Sequence, residues 1–366
     1  MTKFLHDSKL LFTLVTLNDS YMRKIGILIG GGECPGVNSI IKSIIPKCLE
    51  HNIEVYGFRH GWEGVLNNDV RKLTVEEMDE AHILGCPMIE SSRVNILLHP
   101  DAFETCKVNI DALGLESLIV IGGDDTLGVA DHFHRKGINL VGIPKTIDND
   151  LSGTDYSFGF DTASYVATEA IDRLHTNSKF NSRCFVVEVM GRHTGWIALQ
   201  AGLAAGAHVV LIPEFPRTLD EIAGIIEYRR QNGKFYTIIC VAEGFELEEM
   251  NIDYETLGKD DYGNIRMEQK QIAANLSGML EAKTGIKTRF SVLGHMIRGG
   301  VPTAFDRVLG SKFGSKAVEL IAEKQYGYMV ALQGSSIVAV DLEKAIVLKK
   351  VDEEFYHASG YHSYQY

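Results

Sequence analysis

The chain has 366 residues, 45% hydrophobic and 23% charged, the balance of an ordinary soluble protein long enough for two or more packed lobes, which excludes disordered and fibrous classes. Its 36 Lys and Arg against 48 Asp and Glu give a formal charge of -12, which argues against non-specific binding to nucleic acid or an anionic membrane. Any anionic substrate must then be met by a local cluster of cations. The six cysteines show neither a C-x-x-C pair nor a His/Cys ligand spacing, so reduced thiols in a cytoplasmic protein are expected rather than disulfides or a zinc site.

At the N-terminus, KLLFTLVTL is followed by the polar NDSY and lacks a small-residue cleavage site, so residues 1–21 read as a short extension and Met22 as a candidate start. No apolar run approaches the about 20 residues that span a bilayer. From Lys24 the pattern becomes apolar strand, glycine turn, amphipathic helix. KIGILIG enters GGECPG and then VNSIIKSIIPKCLE, where Val37, Ile40, Ile41, Ile44 and Cys48 share helical spacing and Pro46 is expected to kink or shorten the helix. Further strands are expected at residues 53–58, 117–122, 139–144, 184–190, 208–213, 236–244 and 289–295, most separated by helical segments. Such alternation of Val/Ile/Leu runs with helices predicts an α/β protein with parallel sheets covered on both faces and ligand sites at the carboxyl ends of strands. Two lobes facing across a cleft are expected: residues 1–159 with 297–350, and residues 160–296, followed by a tail at 351–366.

The motifs all follow apolar runs. IGGDDTLG, Ile121–Gly128, places a glycine turn and a helix start where a phosphate would be cradled, yet adds Asp124 and Asp125 there. GGECPG has three consecutive glycines, Gly30, Gly31 and Gly32, which gives more backbone access than a tight turn requires. In PKTIDND, Lys145 offers a cation for phosphate oxygens, Thr146 a hydroxyl, and Asp148 and Asp150 alternate so that one can face a cleft while the other points elsewhere. GRHTGW sets Arg192 just beyond a strand, with His193 beside it read as structural or surface. Glu243 in EGFE either accepts from sugar hydroxyls or caps a turn. RFSVLGHMIRGG is expected to carry Arg289 and His295 at the two ends of one strand and Arg298 in the next turn; with Arg183 they form the required positive cluster.

From Lys24 to about Ala345, the motifs GGxxPG, GGD-D-T, PKTIDND, VEVMGRHTGW and LGHxxRGG resemble, in order and spacing, the 6-phosphofructokinase family. The resemblance implies two doubly wound, Rossmann-like lobes, one for the phosphoryl donor and one for fructose 6-phosphate, with the active site in the cleft. It implies that Asp148 is the base toward the sugar 1-hydroxyl, with Asp150 beside it, that Asp124 binds Mg2+, that Thr146 touches the transferred group and that Arg192 stabilises its charge. Gly31, Gly32, Arg93, Gly123, Asp125 and Lys145 would form the donor pocket. Met190, Gly191, Glu243, Arg183, Arg289, His295 and Arg298 would grip the sugar phosphate. Arg183 and Arg289 would reach in from a neighbouring subunit, so a homodimer or homotetramer with shared sites is implied. Glu33 stands where many members carry Asp and Ile297 where Gln is usual, while the charged effector ligands of allosteric members are not evident around His175 and His208.

Members that use ATP commonly carry GGDG and PGTIDND. Here Asp125 and Lys145 replace the two glycines, adding negative charge where the α-phosphate of a nucleotide would lie and a cation suited to a shorter donor. The pair resembles the pyrophosphate-dependent branch of the family. An ATP-dependent phosphofructokinase, a non-catalytic sugar-phosphate sensor and an enzyme for sedoheptulose 7-phosphate are the alternatives.

Overall fold

The structure is a computed structural model and describes residues 22–78, 87–260 and 262–358. KLLFTLVTL and Cys86 lie outside the described residues. The long apolar runs become strands buried on both faces: every residue of β4, β5, β6 and β8 below is buried.

The first lobe begins with β1 (Arg23–Ile29), α1 (Asn38–Glu50), β2 (Ile53–Phe58), α2 (Gly61–Asn67) and the short β3 (Val70–Lys72). It continues through α3 (Ala102–Leu113), β4 (Ser117–Gly122), α4 (Asp124–Arg135) and β5 (Leu140–Pro144). The 22-residue α5 (Phe160–Asn181) then leads to β6 (Cys184–Val189), α6 (Trp196–Ala204), β7 (Val209–Leu211), α7 (Leu219–Gln231), β8 (Thr237–Ala242), α8 (Ile272–Thr284) and β9 (Thr288–Val292). The chain returns through α9 (Ala304–Ala322), β10 (Tyr328–Gln333), β11 (Ser336–Asp341), α10 (Leu342–Ala345) and α11 (Glu353–Ala358).

Two sheets result. One has seven strands in the order β11-β10-β5-β4-β1-β2-β3, the other four in the order β7-β8-β6-β9. The second is parallel throughout; the first is parallel from β10 to β2, with antiparallel β11 and β3 at its edges. A common apolar core runs through both lobes, taking Ile143 from the first sheet, Val187 from the second, and Phe160, Ala163, Ala167 and Ile171 of α5 between them. Buried Asp306 at the start of α9 accepts from the Gly159 amide at 3.1 Å and the Thr162 amide at 2.8 Å, fixing the N-terminus of α5 against the returning chain.

Three strands fall outside the expected set. β3 has only three residues, too few to show a period, and β10 and β11 form a hairpin through Gly334, whose φ is 60°. α1 runs through Pro46 to Glu50 and is not shortened by it; Pro46 lies on the exposed face of the helix. The expected strand 289–295 stops at Val292: Gly294, at φ 48°, turns the chain into a 3-10 helix over Gly294–Arg298. His295 and Arg298 therefore share that turn, and His295 is not at a strand end. Among the described residues no helix is long and apolar enough to cross a membrane. The five described cysteines are free and buried.

Candidate active site

The carboxyl ends of strands from both sheets open into one cleft of about 880 Å³, open mouth included. After β1 come Gly31, at φ 81°, and Gly32; after β4 comes Gly123, with Asp124 and Asp125 as the first two residues of α4. There the helix dipole favours negative charge. The turn after β5 brings Lys145, Thr146, Asp148 and Asp150, all facing the same space, and the second sheet contributes Arg192 and Glu243; Arg93 and Arg298 complete this set. The expectation that Asp148 and Asp150 point in different directions fails, since both line the cleft. Asn149 between them adopts φ 53° and turns inward, its side chain bonding Asp155 O and the Ser157 amide, so the alternation of an extended strand does not apply.

The cations cluster at the glycine turn. Lys145 is only 2% exposed and its Nζ donates to Gly32 O at 2.5 Å. A Cβ on Gly32 would lie 2.5 Å from Arg93 Nη2 and 2.7 Å from Arg298 Nη1, so two guanidinium groups converge there and a side chain at this position would have to displace them. Glu33 sits beside both: its carboxylate is 3.6 Å from Arg93 Nη2, and its carbonyl accepts from Arg298 Nη1 at 3.4 Å. Burial raises the Glu33 pKa, but its own amide and then Arg93 and Arg298 outweigh that and hold it low. On the opposite wall Arg192 Nη2 lies 3.5 Å from Asp260 Oδ2.

The acids are crowded. Burial raises the pKa of Asp148, Arg298 opposes that and Asp124 adds to it; its Oδ1 is buried with no hydrogen-bond partner among the described residues. The Asp148 amide donates to Thr146 Oγ1 at 3.2 Å, and the same hydroxyl lies 3.4 Å from Asp150 Oδ1. Burial, then the charges of Asp148 and Asp124, push Asp150 up to about 8. Glu243 is pushed up to about 7 by burial and then by Asp148, and Asp125 to about 7 by burial, Asp124 and Asp260. A carboxyl raised in the folded state contributes stability that is present below its unfolded pKa of about 4 and lost as pH rises through the folded value. Ligand-free protein is therefore expected to melt at a lower temperature at pH 8.5 than at pH 6. The variant Asp150→Asn with Glu243→Gln should flatten that slope in thermal unfolding; an unchanged slope would remove these two carboxyls as its source.

Met190 and Gly191 do not line the cleft: Met190 Sδ lies 3.1 Å from Nε of Arg298, which does, and the Gly191 carbonyl accepts from the Gly244 amide at 3.0 Å. Arg183, Arg289 and His295 do not line the cleft, so the positive cluster expected from the sequence does not assemble within one chain. The reason is strand polarity. Arg183 precedes β6 and Arg289 is the second residue of β9, beside Phe185, so both lie at the amino end of the parallel sheet whose carboxyl end carries Arg192 and Glu243. A strand of this length separates the two ends by roughly 17–20 Å. His295 is exposed in its 3-10 turn.

The cleft also holds residues that were not expected in it. His193, read as structural or surface, lines it, as do Cys34, Thr126, Asp260 and Tyr262. Cys34 and Thr126 lie inside glycine motifs and were accessible to that reading. Asp260 and Tyr262 belong to the irregular segment between β8 and α8, 18 and 20 residues beyond the end of β8 and so far from the strand-end motif. Asp260 Oδ1 accepts from the Tyr262 amide at 3.1 Å and the Asn264 amide at 2.9 Å, while the Tyr262 hydroxyl donates across the cleft to Val94 O at 3.3 Å.

The family model described as phosphofructokinase matches residues 24–321. The pyrophosphate–fructose 6-phosphate 1-phosphotransferase of Amycolatopsis methanolica is 45% identical over 335 residues, 91% of this chain and 97% of the relative. ATP-dependent 6-phosphofructokinase 3 of Streptomyces coelicolor is 44% identical over 335 residues, 91% of this chain and 98% of its own. In fold, the pyrophosphate-dependent phosphofructokinase from Nitrosospira multiformis superposes with a TM-score of 0.78 at 22% identity, covering 92% of this chain and 87% of that one. With strand-end glycine turns, convergent guanidinium groups and paired aspartates in one cleft, the chain belongs to the phosphofructokinase family, whose reaction is phosphoryl transfer to fructose 6-phosphate.

Proposed function

We propose that the phosphoryl donor is pyrophosphate and that the reaction, fructose 6-phosphate plus pyrophosphate to fructose 1,6-bisphosphate plus phosphate, runs in both directions in the cytoplasm. The observation that carries this reading is the placement of Asp125 and Lys145. Asp125 stands beside Asp124 at the start of α4, where a nucleotide's inner phosphate would have to approach, and Lys145 Nζ fills the space behind Gly31, 3.8 Å from where a Cβ would sit. The relatives above carry both donor names, so the reading rests on these two side chains.

In this reading Asp148 orients the sugar 1-hydroxyl and takes its proton; an elevated pKa suits a carboxylate that must accept one. Thr146 lies beside the path of the phosphoryl group, Arg192, Arg93 and Lys145 meet the charge that spreads over its oxygens, and Arg298 grips the sugar phosphate. The raised carboxyl of Asp150 supports Asp148 through Thr146, and Glu243 with Met190 and Gly191 holds the sugar. The donor set fits Mg2+, which is commonly held by one or two carboxylates together with substrate phosphates, and exposed Asp124 at the cleft offers such a carboxylate. Bound there, the ion would neutralise phosphate charge. We assign donor binding to residues 1–159 and 297–350 and sugar binding to residues 160–296. Supplied with fructose 1,6-bisphosphate and phosphate, the purified chain should release pyrophosphate; failure to do so while the forward reaction proceeds with ATP would refute the assignment.

Arg183 and Arg289 are assigned to a neighbouring subunit's 6-phosphate pocket. Their place at the far end of the sheet, next to exposed Phe290 and Val292 on edge strand β9, favours that role over one in their own cleft. An assembly of Asp148→Asn chains with Arg289→Ala chains contains sites with both Asp148 and the partner's arginine intact. Co-expression should recover turnover that neither variant shows alone; no recovery in a verified mixed assembly would confine each site to one chain.

A further inference from the structure

After α10 the chain crosses from the first sheet to the second, directly behind the loop that carries Asp148. We infer that Lys349, in this crossing strap, is a positioning residue for phosphoryl transfer: it locks the Asp148 loop of one lobe to the Arg192 turn of the other. The inference rests on the reading of Asp148 as base and Arg192 as the group that meets the transferred charge.

Three groups of Lys349 are used at once. Its amide donates to Asp150 O at 2.7 Å, its Nζ donates to Thr154 O at 2.8 Å and Asp155 O at 3.1 Å, and its carbonyl accepts from Trp196 Nε1 at 2.9 Å. Nζ also lies 5.2 Å from the centroid of the Trp196 ring. Residues 150–155 continue the Asp148 loop, and Trp196 opens α6 four residues after Arg192. A single side chain and its peptide group thus touch both halves of the reacting site.

Neighbouring contacts hold the strap in register. Leu348 bridges Leu151, and the Ser152 amide donates to Ala345 O at 3.0 Å. The Val351 amide donates to Glu214 Oε1 at 3.1 Å; the same carboxylate accepts the Gly195 amide at 3.0 and 3.1 Å, fixing the end of the Arg192 turn. Farther on, Tyr356 stacks on Phe215 with centroids 4.5 Å apart, and its hydroxyl donates to Val210 O. These contacts anchor the strap on the second sheet, while Lys349 holds it to the first. Burial lowers the Lys349 ammonium to about 8, with the charges of Asp155 and Asp150 opposing it, and two carbonyls and the indole face hold it in place without a direct ion pair.

In-line transfer depends on how two lobes aim their groups at one phosphorus, and a displacement of about 1 Å in such a site can cost on the order of 100-fold in rate. A staple that served stability alone would leave turnover per folded molecule unchanged. The test uses Lys349→Met, Lys349→Arg and Trp196→Phe, assayed with whichever of pyrophosphate and ATP supports turnover in the unsubstituted chain, beside Asp148→Asn. Donor choice therefore does not enter the outcome, and an active Asp148→Asn would show instead that the underlying reading has failed. Lys349→Met should lose roughly 10- to 100-fold in kcat with KM for fructose 6-phosphate within about threefold, and Lys349→Arg should recover most of the loss. Trp196→Phe, which keeps an aromatic face but removes the N–H donor and part of the ring system, should show a smaller loss of the same kind. Lys349→Met with kcat within about threefold of the unsubstituted chain, or with a raised KM alone, would overturn the inference. If that variant does not fold, Trp196→Phe decides on the same criterion, an unchanged kcat counting against the inference.

Discussion

Asp148→Asn should lower turnover on the order of 10³-fold or more while leaving fructose 6-phosphate binding nearly intact. The amide keeps the shape and the hydrogen bond from the Asp148 backbone to Thr146, but it cannot take a proton. Electrostatics sharpen the expectation. Asp148 is half-buried, faces the charges of Asp124, Arg298, Arg192 and His193, and its buried Oδ1 is unpartnered among the described residues, so its work is directed into the cleft and not to the fold. Removing its charge also lowers the pressure on Asp150 and Glu243, whose pKa values both rise in part because of Asp148. Binding measured by calorimetry should therefore stay close to that of the unsubstituted protein even as kcat collapses. Near-normal turnover would remove Asp148 from the role of base.

The second large effect concerns donor choice. Asp125→Gly with Lys145→Gly should shift the ratio of kcat/KM for ATP to that for pyrophosphate by on the order of 100-fold toward ATP. Two unit charges about 4 Å apart interact by about 4 kcal/mol at an effective dielectric near 20, and each 1.4 kcal/mol is tenfold, so removing one repulsive carboxylate is large enough for such a shift. The change at residue 145 works from the other side, taking away a cation that a short donor would use and opening space behind Gly31. Because burial and then Asp124 push Asp125 to about 7, its charge against a nucleotide grows as pH rises through neutrality. Discrimination against ATP should accordingly be weaker at pH 6 than at pH 8 in the unsubstituted chain and lose that pH dependence in the double variant. A double variant that keeps the original ratio would place the discriminator elsewhere.

Much of the architecture is legible because its signals are local. An apolar run followed by glycine marks a buried parallel strand and its ligand-bearing end, so Gly31, Asp124, Lys145, Asp148, Arg192 and Glu243 could be assigned to strand ends from spacing alone, and the structure brings them to one cleft. What was legible is their placement; their roles come from chemistry and family. Features set by the path of the chain were not legible. Asp260 and Tyr262 reach the cleft from a segment without a period, and Lys349 matters through a crossing that no neighbouring residue announces. The resemblance already set Arg183 and Arg289 apart from Arg298 as residues of a neighbouring subunit's site, and strand polarity puts them at the amino end of the sheet, away from their own cleft. The β10–β11 hairpin carries the apolar runs Met329–Leu332 and Ile337–Val340 on either side of Gly334 and was legible, but neither run leads into a glycine turn and a helix, the pattern that marks the central strands.

The most direct test compares kcat/KM for pyrophosphate and for ATP on one preparation, with saturating fructose 6-phosphate and magnesium. Higher efficiency with pyrophosphate is the expected result of the proposed role of Asp125 and Lys145 at the donor end of the cleft. Higher efficiency with ATP would contradict it.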